Sequence, residues 1–239
     1  LRDAGVEFLD GALANPALRV QHLQAMLRSR SINAELIRRI AKSPIWTKFN
    51  RVRRAIVLHP RTPRPLAMNL LPTLRWADLL QVSGTPALAV GLRSGALTIL
   101  GLRLPELSLG EKITLARSAP PPLLGLLLRE SSVEVVRAAL ENRHAQPDEV
   151  APLVDEAETA PGILRAIAES PRFAGRDDLR LALAAHPRTP APVALRLLGR
   201  MEPPELARLL ADAALPVLIR VAATRRLAEG PAAIRRSNR

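Results

Sequence analysis

The sequence predicts an all-α fold, an α-solenoid built from short helix pairs. Three observations point to it. Apolar residues make up 48% of the chain but aromatics only 2%, so its core must be assembled from Leu, Ala, Val and Ile. Such a core suits closely packed helices better than sheets. Residues 7–100 align without a gap on residues 134–227, at an offset of 127, with 27 of 94 positions identical; a match of that length outweighs any short motif. Inside both segments a helix, a small polar punctuation and a second helix recur every 20–25 residues or so, the range of helical repeats.

Taken in order, the first duplicated unit spans 7–100. Ile37–Pro44 (IRRIAKSP) is one apolar helix ending at Ser-Pro, and Val52–Leu71 (VRRAIVLHPRTPRPLAMNLL) is a helix, a punctuation and a second helix. Pro60 cannot continue a helix and turns His59 away from helical dihedrals. Thr62 then reads as an N-cap with Pro63 in the first helical position, where a missing N–H costs nothing. HPRTP is therefore a stop, a turn and a start, and Thr85-Pro86 repeats that start. Gly84–Leu102 is the most membrane-like run, but Arg93, Pro86 and four glycines interrupt it, so no spanning helix is expected.

The intervening segment, 101–133, carries two capping-box patterns, Ser108–Glu111 (SLGE) and Ser131–Glu134 (SSVE). The second unit spans 134–227. Val135–Val154 (VVRAALENRHAQPDEVAPLV), Leu164–Pro171 (LRAIAESP) and Leu179–Leu198 (LRLALAAHPRTPAPVALRLL) repeat the same grammar. Residues 228–239 read as a basic tail. The length allows one large domain or two small ones, and the repeat favours a single continuous solenoid over 1–239. The segment 101–133 has no counterpart before Glu7, so either the first unit lacks its opening helices or the array is longer.

The pattern V-R-x-x-[apolar]-[apolar]-x-[His/Asn]-P-x-T-P-x-x-[apolar], clearest at Val52–Leu66 and Leu179–Val193, resembles the leucine-rich repeat variant family. That is a bacterial helical repeat similar in style to HEAT repeats, and weaker matches cover most of the chain. The resemblance implies a right-handed superhelix of paired short helices and a role in interaction rather than catalysis. The family's founding type also resembles a carrier of a cysteine-ligated iron–sulfur domain. Cysteine is absent here, so that feature does not transfer.

Motifs of chemistry are scarce. Lack of cysteine excludes disulfides, thiolate metal sites and a cysteine nucleophile. His22, His59, His144 and His186 are scattered, without the close pairing of a helical metal site; His59 and His186 occupy equivalent turns, which predicts a turn or capping role. Gly84, Gly91, Gly95 and Gly101 are too dispersed for a phosphate-cradling loop, and no serine sits in a nucleophile elbow. Glu106 and Glu111 lie around a helix start, where the dipole explains them. Trp46 aligns with Phe173 and reads as a core residue, whereas Trp76 aligns with Pro203. Arg38, Arg53 and Arg61 recur as Arg165, Arg180 and Arg188, which marks them as structural. No enzyme, cofactor, metal site, membrane partner or small-molecule substrate is expected.

The charge is what the fold does not require. Net charge is +13, with 35 Lys and Arg against 22 Asp and Glu, and this favours anionic partners. Between Arg28 and Arg64 eleven basic residues face one acid, Glu35. The aligned second-unit segment does not repeat this. Arg39, Lys42, Lys48, Arg51, Arg54 and Arg64 align with Ala166, Glu169, Gly175, Asp178, Leu181 and Ala191. Those six are the candidate partner-binding residues. Arg225, Arg226 and the tail arginines 235, 236 and 239 form a second basic cluster, and Glu130–Glu158 is acidic.

The expected function is thus a non-catalytic interaction scaffold, cytoplasmic, whose basic first half docks an anionic protein or peptide. The alternative is a nucleic-acid-binding protein that contacts phosphates with little sequence preference. The scarcity of aromatic stacking platforms speaks against single-strand readout. Third comes a helical-repeat enzyme resembling the DNA glycosylases that excise alkylated bases.

Overall fold

The structure is a computed structural model and describes residues 11, 13, 15–29 and 32–229. The predicted tail therefore lies outside the described residues from 230 onward, with its arginines 235, 236 and 239. Helix accounts for 71% of the described residues, and no strand occurs among them. The chain divides into two compact units, Leu1–Leu107 and Ser108–Arg239, with the division inside the segment 101–133.

In the first unit the helices are α1 (Val20–Arg28), α2 (Ala34–Lys42), α3 (Pro44–Thr47), α4 (Asn50–Leu58), α5 (Arg64–Leu70), α6 (Trp76–Ser83) and α7 (Val90–Arg103). Helix α4 packs on α1, α5 and α6, and α6 packs along α7. The second unit holds α8 (Leu109–Ala116), α9 (Pro121–Leu128), α10 (Val133–Leu140), α11 (Pro147–Asp155), α12 (Pro161–Glu169), α13 (Pro171–Ala174), α14 (Asp177–Ala185), α15 (Ala191–Leu198), α16 (Pro203–Leu210) and α17 (Val217–Glu229). Each of α11–α17 begins 127 residues after its counterpart among α1–α7, as Pro147 does after Val20. Their packing partners correspond as well: α14 lies on α11, α15 and α16.

The sequence forms these helices for local reasons. Proline opens α3, α9, α11, α12, α13 and α16, where no donor is lost. Apolar residues fall at helical spacing, for example Leu36, Ile37 and Ile40 on α2 and Ile163, Leu164 and Ile167 on α12, and all are buried. Trp46 and Phe173 are both buried on the short helices α3 and α13. No helix among the described residues is long and apolar enough to cross a membrane.

Three starts differ from the sequence reading. Helix α5 begins one residue late, with Pro63 at its cap. The Thr62 hydroxyl instead donates back to the Ile56 carbonyl at 2.6 Å, closing α4. Thr85 likewise donates to the Gln81 carbonyl at 2.7 Å, and α7 opens only at Val90. Ser108 and Glu111 do form a capping box, but the cap of α10 is Ser132, which accepts from the Val135 N–H, rather than Ser131. A short hydroxyl beside a helix end serves either the last carbonyls or the next amides, and composition alone does not choose.

The His/Asn position of the repeat has a common geometry. His59 and His186 are buried. Each places Nε2 at a carbonyl thirty residues back, Ser29 O at 3.2 Å and Glu156 O at 3.1 Å. Each accepts at Nδ1 from the N–H two residues on, Arg61 or Arg188, at 3.1 Å. These partners put the ring proton on Nε2. Asn142 does the same with an amide: Nδ2 donates to Ala116 O and Ala119 O at 2.7 and 3.0 Å, and Oδ1 accepts from His144 N at 2.9 Å. The side chain is a bracket between one turn and the preceding one. Asn142→Ala leaves buried carbonyls and an amide unpaired, and each such group costs about 1–3 kcal/mol. Urea denaturation is expected to show a loss of about 2 kcal/mol or more, against less than about 0.5 for exposed Asn69→Ala.

Candidate functional site

Helix α4 turns its buried side, Val52, Ile56 and Val57, into the core. Arg51, Arg54, Ala55 and Leu58 share another stripe, being spaced i, i+3, i+4 and i+7. That stripe forms one wall of an open groove of about 710 Å³. Helix α1 contributes Gln24, Leu27 and Arg28, the turn after α4 contributes His59 and Arg61, and α6 and the loop after it contribute Gln81 and Leu88. Four guanidinium groups therefore surround a floor of leucines.

The four arginines are held differently. Arg54 pairs at 3.3 Å with Asp78, whose buried carboxylate also accepts from Asn50 Nδ2 at 2.5 Å. Arg61 donates to the Ile32 carbonyl at 3.4 Å, an anchor on the neighbouring turn. Arg28 and Arg51 are exposed and carry no ion pair with any described residue. Their charge is open to a partner.

The second unit supplies an internal comparison. At the positions of Arg28, Arg51 and Arg54 stand Asp155, Asp178 and Leu181. Asp178 is already engaged by Arg176, with contacts of 3.1 and 3.0 Å; that hydrogen bond holds its carboxyl below the usual range despite slight burial. Glu205 stands where Asp78 does and takes Arg180, the counterpart of Arg53. In the first unit Arg53 turns instead to the Thr47 carbonyl at 2.6 Å, which leaves Asp78 to anchor Arg54 at the groove.

Of the six predicted residues, Arg51 and Arg54 line the groove and the other four do not. Arg39 lies on α2 with Nε 3.6 Å from Glu35. Lys42 ends α2, exposed. Lys48 caps α3 with Nζ 5.0 Å from the centre of the Phe49 ring. The Arg64 guanidinium lies directly over Gly91 of α7. Among the residues marked structural, Arg53 and Arg61 bond backbone carbonyls, and Arg180 lies in a buried ion pair. Arg38 pairs with Glu35 on the surface, a partner that Arg165 lacks because Gly162 replaces it. Arg225 and Arg226 bind Glu229 and the Gly199 carbonyl.

Sequence reasoning missed Arg28 and Arg61. Arg28 was visible to the same comparison, since it aligns with Asp155; Arg61 was hidden because Arg188 repeats it. No Phe, Tyr or Trp is among the residues lining the groove, and Trp76 sits half-buried at the start of α6. No cluster of His, Asp and Glu among the described residues forms a metal-binding group. No family model matches the chain, and no curated protein or solved structure matches it significantly.

Proposed function

We propose that this protein is a non-catalytic helical-repeat scaffold whose first unit docks an anionic protein or peptide in the groove between α1, α4 and α6. In this reading one unit was duplicated at a 127-residue offset, and successive helix pairs follow the right-handed repeat of the leucine-rich repeat variant type. The shared helix starts and the His/Asn brackets support the duplication. The observation that carries the function is the groove's charge. Arg28 and Arg51 are exposed and unpaired with described residues, and the same scaffold 127 residues on carries Asp155 and Asp178. Packing does not require these cations, so their role is directed outward.

The test is fluorescence anisotropy with labelled poly-aspartate, duplex DNA and single-stranded RNA across a salt series. Poly-aspartate is expected to bind at about 0.15 M salt and to weaken steeply as screening rises. Duplex DNA binding more tightly than poly-aspartate would transfer the groove to phosphate recognition. Failure of all three probes would reject docking of an anionic partner.

A further inference from the structure

Resting on that docking reading, we infer that the groove takes an extended acidic peptide segment carrying an apolar side chain among its carboxylates. The lining has three chemistries. Arg28, Arg51 and Arg54 supply charge; Leu27, Leu58 and Leu88 supply an apolar floor; Gln24 and Gln81 supply amides. A nucleic-acid backbone would use only the first. It would leave the leucines covered by phosphate and water; the lining offers no Phe, Tyr or Trp for a base to stack on, and its one imidazole, His59, is buried and held at both nitrogens. Arg54 already shares its charge with Asp78, so the field is graded rather than uniformly cationic.

A peptide uses all three. The wall from Arg51 to Leu58 runs about 10 Å along α4 at 1.5 Å per residue. That matches about three extended residues at 3.3 Å each. Arg51 and Arg54 stand one turn apart, with Cβ atoms about 5–6 Å from each other. Carboxylates on alternate peptide residues can meet both guanidinium groups, in the two-pronged geometry that Arg favours. An apolar side chain of the same segment covers the leucine floor, and the glutamine amides, each donor and acceptor, satisfy its backbone.

The experiment is selection of a random heptapeptide display library on the full chain, with counter-selection on the R28E/R51E variant. Enriched sequences are expected to combine at least two acids with Leu, Ile, Val or Met. Replacing that apolar residue by Ser in a synthetic peptide is expected to weaken binding by about tenfold. Acidic sequences without apolar enrichment, or a Ser peptide that binds as well, would overturn this inference and leave charge-driven docking standing. Absence of any sequence dependent on Arg28 and Arg51 would overturn both.

Discussion

Glu205→Ala is expected to destabilise the second unit by about 2–3 kcal/mol, because it leaves the buried Arg180 guanidinium with one carboxylate partner, the exposed Asp177 at 2.7 Å. Arg180 and Glu205 are the most buried ion pair among the described residues, each side chain only 11% exposed. Burial alone would raise the Glu205 carboxyl. The Glu202 backbone N–H, the Arg180 hydrogen bond and the charges of Arg180 and Arg208 outweigh it, and the group sits below its ordinary 4.5. Because the folded value is depressed, this contribution is present above the ordinary value and is lost as pH falls through the folded one. Acid titration of the wild type should therefore show stability declining below about pH 4.5, a decline shallower in Glu205→Gln. Replacing both partners, as Arg180→Met with Glu205→Leu, is expected to restore most of the loss. Equal destabilisation by the single and double variants in urea denaturation would refute this account.

The second large effect is on binding. Reversing Arg28 and Arg51 to Glu removes two cations that pair with no described residue and places two carboxylates beside an anionic ligand. Each hydrogen bond to a charged group is worth about 1.5–3 kcal/mol, so poly-aspartate affinity should fall by about 100-fold or more. Both side chains are exposed, so thermal stability should barely change. Lys42→Glu with Lys48→Glu makes the same change of net charge outside the groove and is expected to cost about threefold or less, through screened long-range repulsion alone. Comparable losses in the two variants would show a diffuse charge effect.

The positions of the helices were legible because the proline and apolar spacing repeats: IRRIAKSP and LRAIAESP end α2 and α12 at equivalent residues. The stop in HPRTP followed from Pro60, but the start did not follow from Thr62, since a hydroxyl between two helices can serve either one. The role of His59 and His186 as turn residues was visible from their equivalence. Their bond to a carbonyl thirty residues back was not, because it depends on how neighbouring turns stack. At the groove, comparing aligned positions identified Arg51 and Arg54. The same comparison selected Arg39, Lys42, Lys48 and Arg64, because it detects what the fold does not need and carries no information about direction. Arg61 is the converse case: it anchors to Ile32 and lines the groove as well, so a residue shared by both units can still face the groove.

The most direct measurement is hydrogen exchange of the full chain with and without saturating poly-aspartate. The matching helix starts at an offset of 127 make the second unit a control for the first. Protection is expected in peptides covering 24–28, 51–61 and 81–88, with none in their counterparts at 151–155, 178–188 and 208–215. Protection distributed over both sets, or confined to 39–48 with the groove unchanged, would contradict a docking site built by the charges of the first unit.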